Sequence, residues 1–239
     1  LAAQVHALNL SFGIYTDRGP ATCGGRPASL NHEALDAATY AGWQVDYLKE
    51  DSCGATHEHE GAFAQYATMQ SALDASRRPI FFSLCGWMRY YAAAGARGIG
   101  QSWRVGTDCD SWADFMINVD AAAATAPFAR RGRFNDVDEI GRAACTKRGP
   151  HKDMTEDCSY AKRVTQFSLI AIVGSPLLLS DDMSNWTKPW SQDACPTDAP
   201  CTDLVSLYGN EEVMAVHQAL DADNELTYLR LAGGPITEG

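Results

Sequence analysis

The chain has 239 residues, 46% hydrophobic and 21% charged, which is enough apolar chain for a sizeable core in one large domain. Nineteen Lys and Arg against 30 Asp and Glu leave a net charge of −11, which argues against a nucleic-acid surface or an anionic membrane as partner. No apolar run reaches the ~18–20 residues of a membrane span, and the longest, SLIAIVGSPLLLS at 168–180, is broken by Gly174, Ser175 and Pro176.

In chain order, LAAQVHALN at 1–9 reads as the tail of a helix. LSFGIYTD at 10–17 reads as a strand followed by a Gly-rich loop, and 31–43 as a helix with Asn31 at the N-cap, Glu33 in the first turn and Gly42 near the stop. VDYLKED at 45–51 is the next strand. In THEHE, His57 and His59 sit with Glu58 and Glu60 and are expected in an exposed, solvated loop rather than at a metal. Residues 61–79 carry Phe63, Tyr66, Ala67, Gln70 and Leu73 at helical spacing, ended by Pro79. Strands are then expected at 80–87 and, shorter, at 102–108. A helix follows at 110–125, a strand leading into a loop at 132–140, a helix at 158–174, and a final buried strand at 176–182.

Strand, loop and helix thus alternate every 25–40 residues or so, the rhythm of a parallel sheet with helical crossovers. Each strand ends in polar residues, among them Tyr15 and Asp17, Lys49 and Asp51, Cys85 and Trp87, Arg104 and Asp108, and Asp136 and Asp138. An open doubly wound sheet concentrates its chemistry at a switch point, whereas a (β/α)8 TIM barrel builds its site from the carboxyl ends of all its strands. The expected fold is therefore an α/β barrel. About six of eight βα units are present at ~30 residues each, and the two missing units are expected ahead of Leu1.

Two of these strand ends carry the chemistry. Side chains alternate along a strand, so Val45, Tyr47, Lys49 and Asp51 share one face of 45–51 and Asp46, Leu48 and Glu50 the other. Lys49 beside Asp51 suits an ionised carboxylate nucleophile, and Glu50 is expected to have no special role. SWRVGTD supplies a second carboxyl, Asp108, with Arg104 four residues before it. A retaining glycosidase needs two carboxyls about 5–5.5 Å apart. The residues alone leave open a salt-bridged strand end for Asp51 and a helix-capping role for Asp108 and Asp110.

The ordered series GIYTDRGPATCGG, VDYLKEDSC, RPIFFSLCGW, SWRVGTD, FNDVDEIG, SPLLLSDDM and EEVMAVHQ resembles glycoside hydrolase family 27, the α-galactosidases and α-N-acetylgalactosaminidases, from about residue 10 to residue 218. The resemblance implies a retaining double displacement with neither metal nor organic cofactor, Asp51 as nucleophile and Asp108 as acid/base. It implies that Lys49 and Arg104 bind the galactose ring and that Tyr15 walls the pocket. It also implies that Cys85 and Trp87 line the sugar 2-position, that Asp138 is a ligand-side carboxylate, and that a Cys23–Cys53 disulfide closes the mouth. The family's paired Asp residues for the 4- and 6-hydroxyls have no counterpart in this chain.

Departures from the family pattern bear on substrate choice. Gly86 stands where the family has a larger polar residue, and Phe134, Val137 and Glu139 depart from its WNDPDM. Gly86 leaves room for a 2-acetamido group, so α-N-acetylgalactosaminidase and β-L-arabinopyranosidase activities stand beside α-galactosidase. A non-catalytic carbohydrate-binding relative is the reading of another class.

The domain division expected is 1–218 as a partial barrel and 219–239 as a linker with a candidate first strand, ELTYLRLAGG, of a C-terminal β domain. Among the eight cysteines, local spacing also pairs Cys145 with Cys158 and Cys195 with Cys201, and Cys85 and Cys109 are left as thiols or a further bridge. This cysteine usage points to an oxidising compartment, secreted or lysosomal/vacuolar. The substrate expected is a galactose-containing carbohydrate.

Overall fold

A computed structural model describes residues 1–55, 59–141, 160–180 and 203–219. The chain divides into two compact units, Leu1–Gly86 with Tyr90–Arg104, and Trp87–Arg89 with Val105–Gly239.

In the first unit four strands, β1 (Gly13–Asp17), β2 (Tyr47–Asp51), β3 (Phe81–Leu84) and β4 (Ser102–Arg104), lie side by side in chain order. All are parallel, with Tyr15 opposite Lys49, Asp17 opposite Asp51 and Lys49 opposite Ser83. Parallel neighbours require crossovers. These contain α2 (Glu33–Gly42), α3 (His59–Ala75) and the short α4 (Ala93–Arg97), and α1 (Ala2–His6) precedes β1. An order that rises 1-2-3-4 without reversal is that of a barrel wall and has no switch point.

Strand parity positions the residues of β2. Leu48 and Glu50 are fully buried on the helix-facing side, while Tyr47 and Lys49 are half-buried on the other. Ala62, Phe63, Tyr66, Met69 and Leu73 form the buried stripe of α3. With Leu48, Phe82, Tyr91 and Trp103 they make the core of this unit, each large apolar side chain contributing about 1.5–3 kcal/mol by leaving water. At the start of β2, Asp46 accepts the Phe12 N–H and faces His6 and Arg78. The Phe12 N–H and the two side chains hold its carboxyl down at about 2.

The second unit contains α5 (Trp112–Ala124), β5 (Phe134–Asp136), α6 (Tyr160–Val173), α7 (Leu204–Tyr208) and α8 (Glu211–Ala219). Val105 donates its N–H to Asp136 O alongside β5. Phe115, Ile140, Phe167 and Ile170 are fully buried, and Phe167 meets Tyr208 edge-on at 5.4 Å.

Several sequence expectations need correction. His32, not Asn31, occupies the N-cap of α2, and Asn31 has φ 64. His59 and Glu60 belong to the first turn of α3, where His59 stacks on Tyr90 and Glu60 accepts two hydrogen bonds from Arg97. Residues 176–180 form no buried strand. They make a single parallel bridge, Leu179 to Ile140. Leu179 is exposed, and Asp181 and Asp182 lie outside the described residues. Glu50 is no ordinary strand residue. It is fully buried with neither carboxylate oxygen hydrogen-bonded among the described residues. Cys145, Cys158, Cys195, Cys201 and the 220–239 segment lie outside the described residues.

Candidate active site

In the first unit, β1 and β2 end together, so that Asp17 and Asp51 are register partners. Asp51 is 6% exposed and both of its carboxylate oxygens are engaged. Oδ1 accepts the Ser52 N–H at 2.9 Å, and Oδ2 accepts the Tyr15 hydroxyl at 2.8 Å. Burial, reinforced by the hydrogen bond to Asp51 and its charge, pushes the Tyr15 phenol well above its ordinary range, so Tyr15 stays protonated as a donor.

The Cys23–Cys53 disulfide, Cα–Cα 5.0 Å, closes over this strand end, with Cys23 Sγ 3.4 Å from Asp51 Oδ2. Asp17 is fully buried and accepts the N–H groups of Gly19 and Cys53 at 2.7 and 2.6 Å. It thereby ties the loop after β1 to the turn that carries the disulfide. Burial raises its carboxyl, against the pull of those two N–H groups. Asp17, Asp51, Cys23 and Cys53 place ligand-type atoms within 4.8 Å of one another. The two sulfurs are bonded to each other, so the group offers a metal two carboxylates and no thiolate.

Lys49 lies two residues before Asp51 on the same face of β2. Cys85, just beyond β3, is a buried free thiol 4.0 Å from Arg104 Nη1, and Arg104 is 2% exposed at the end of β4. Gly86 creates no open space. A Cβ there would lie 1.8 Å from the ring of Tyr91, which fills the room a larger residue would take.

In the second unit, Asp108 is exposed on a loop whose flanks are fixed. Asn118 of α5 donates to Thr107 O at 2.8 Å and to Cys109 Sγ at 3.1 Å, and Asp138 Oδ2 accepts the Cys109 N–H at 2.7 Å. Gly106 permits this approach, since a Cβ at that position would meet Asn118 Oδ1 at 1.8 Å. The N-cap of α5 is Ser111, which accepts the Asp114 N–H. Asp138 is 3% exposed with φ 88 and donates its N–H to Asp136 Oδ1. Trp87 also has positive φ, 58. Such backbone is costly for a bulky residue and concentrates at functional sites. Cys109 is a second buried free thiol.

Sequence reasoning singled out neither Asn118 nor Arg18 nor the loop-tying role of Asp17. The one signal available was the strand-end position of Asp17.

The family model described as alpha galactosidase A matches residues 1–193. Alpha-galactosidase A of Cellvibrio japonicus is 37% identical over 199 residues, covering 77% of this chain and 45% of that protein. Alpha-galactosidase 2 of Arabidopsis thaliana is 35% identical over 224 residues, covering 91% and 49%. Among solved structures, the alpha-galactosidase of Saccharomyces cerevisiae with raffinose superimposes with a TM-score of 0.67 at 27% identity, covering 91% of this chain and 48% of that one. The chain spans about half the length of the curated relatives it matches. It therefore belongs to the alpha galactosidase A family, glycoside hydrolase family 27, and carries an incomplete (β/α)8 barrel.

Proposed function

We propose that the full-length polypeptide carrying this chain is a retaining exo-α-galactosidase. Asp51 attacks the anomeric carbon of a terminal α-galactosyl residue while Asp108 protonates the departing glycosidic oxygen. Water, deprotonated by Asp108, then cleaves the galactosyl–Asp51 ester. Lys49, Arg104, Tyr15, Cys85, Trp87 and Asp138 shape the sugar site. No metal or organic cofactor takes part. The observation that carries this reading is the buried Asp51 carboxylate, fixed at a strand end by one donor on each oxygen, as an in-line nucleophile requires.

The substrates are oligosaccharides or glycoconjugates ending in α-galactose, in keeping with the yeast relative solved with raffinose. The Tyr91 ring beside Gly86 removes the ground for preferring a 2-acetamido sugar. Turnover requires the full-length polypeptide. The Cys23–Cys53 disulfide supports a secreted or lysosomal/vacuolar location.

Azide rescue in the full-length polypeptide separates the two roles. Asp51→Gly should lower turnover of an aryl α-galactoside on the order of 10⁴-fold or more, and azide should restore it as the β-galactosyl azide. Asp108→Gly should be rescued as the α-azide. Undiminished turnover by Asp51→Gly would sink the assignment.

A further inference from the structure

Arg18, the residue after β1, is 1% exposed. Burying a guanidinium is expensive unless its donors are used, and here one of them grips the turn that holds Asp51 while two others reach α3 and Tyr91. Nε donates to Ser52 Oγ at 2.8 Å. Nη1 donates to Gln65 Oε1 of α3, and Nη2 reaches the Tyr91 hydroxyl at 3.4 Å. The guanidinium lies over the Tyr66 ring, 5.3 Å from its centroid, and the Tyr66 hydroxyl pairs with the same Ser52 Oγ at 2.8 Å. The backbone closes the loop, since Arg18 donates its N–H to Asp51 O at 3.0 Å. Ser52 is thus gripped through its side chain while its own N–H supports Asp51 Oδ1.

We propose that Arg18 is a positioning residue for the nucleophile, fixing the orientation of the Asp51 carboxylate through Ser52. The proposal rests on the reading of Asp51 given above. A planar guanidinium with donors spread in one plane can brace Ser52 against α3 and Tyr91 at once. The carboxylate then presents Oδ2, steadied by Tyr15, without rotating about its Cβ–Cγ bond. The arrangement acts on attack rather than on sugar binding, so its loss should appear in kcat.

The test uses the full-length polypeptide with an aryl α-galactoside and a galactose-configured cyclitol epoxide, which traps the nucleophile as an ester. Arg18→Met should lower kcat and the rate of epoxide labelling by about tenfold or more, the scale at which small misplacements of reacting groups act. KM should stay within about twofold of wild type and the Asp51-containing peptide should still carry the label. Arg18→Lys, which keeps a donor and the charge, should recover part of the loss. If Arg18→Met does not fold, Ser52→Ala in the Arg18 background should give the same loss of kcat at unchanged KM. Wild-type kcat and labelling rate in folded Arg18→Met or in Ser52→Ala would overturn the proposal. So would a loss that follows only the folded fraction, with no recovery in Arg18→Lys. Label on a carboxyl other than Asp51 in the wild type would instead refute the nucleophile reading beneath it.

Discussion

Each oxygen of Asp51 is held by a donor of a different kind: a backbone N–H that cannot move without the turn, and a phenol that can be removed by substitution. Tyr15 is 42% exposed, so its ring adds little to the core. Tyr15→Phe should therefore leave the melting temperature within a degree or two while lowering kcat about tenfold, the effect of losing one hydrogen bond to a charged group. Steady-state kinetics beside a thermal melt checks both halves. The resemblance cast Tyr15 only as a wall, because a family match assigns a residue to a pocket without saying which atom it touches. Arg18 was illegible for a related reason. A sequence shows an arginine after a strand, and only the fold reveals that it is buried with its Nε–H donated to Ser52.

At the scale of elements, β2 combines two environments in adjacent residues. Asp51 faces donors, whereas Glu50 faces α2 and α3 with none for its carboxylate among the described residues. Burial, joined by the nearby charges of Glu33, Asp17 and Asp36 and opposed by Arg18, pushes the Glu50 carboxyl well above its ordinary range. A carboxyl whose folded pKa is raised gives no penalty below its unfolded value near 4.5 and an increasing one as pH rises toward the folded value. Melts from about pH 4 to 8 should thus show stability falling with rising pH through this group, a slope that Glu50→Gln flattens while raising stability at neutral pH. An unchanged slope in Glu50→Gln would show that the carboxyl ionises with a partner. The alternation of 45–51 was legible in the sequence, since period-2 parity separates Glu50 from Lys49 and Asp51. The cost of Glu50 was not, because parity says which face a residue takes and nothing about whether that face supplies a hydrogen bond.

For the molecule as a whole, the βα rhythm was the legible part, because parallel strands need crossovers long enough to leave a periodic trace. Short pieces escaped it. The helix Ala93–Arg97 spans little more than one turn, and residues 176–180, apolar in sequence, make only the bridge at Leu179. Strand β1 has no strand neighbour other than β2 among the described residues, and the chain spans about half the length of its curated relatives. Catalysis is accordingly a claim about the full-length polypeptide. Its core is that Asp51 forms the covalent galactosyl–enzyme ester. Trapping with a fluorinated α-galactosyl fluoride, followed by proteolysis and mass mapping, should place the sugar on the peptide containing Asp51 and leave Asp51→Asn unlabelled. A stable adduct on any other carboxyl, or turnover of an aryl α-galactoside by Asp51→Asn at the wild-type rate, would contradict it.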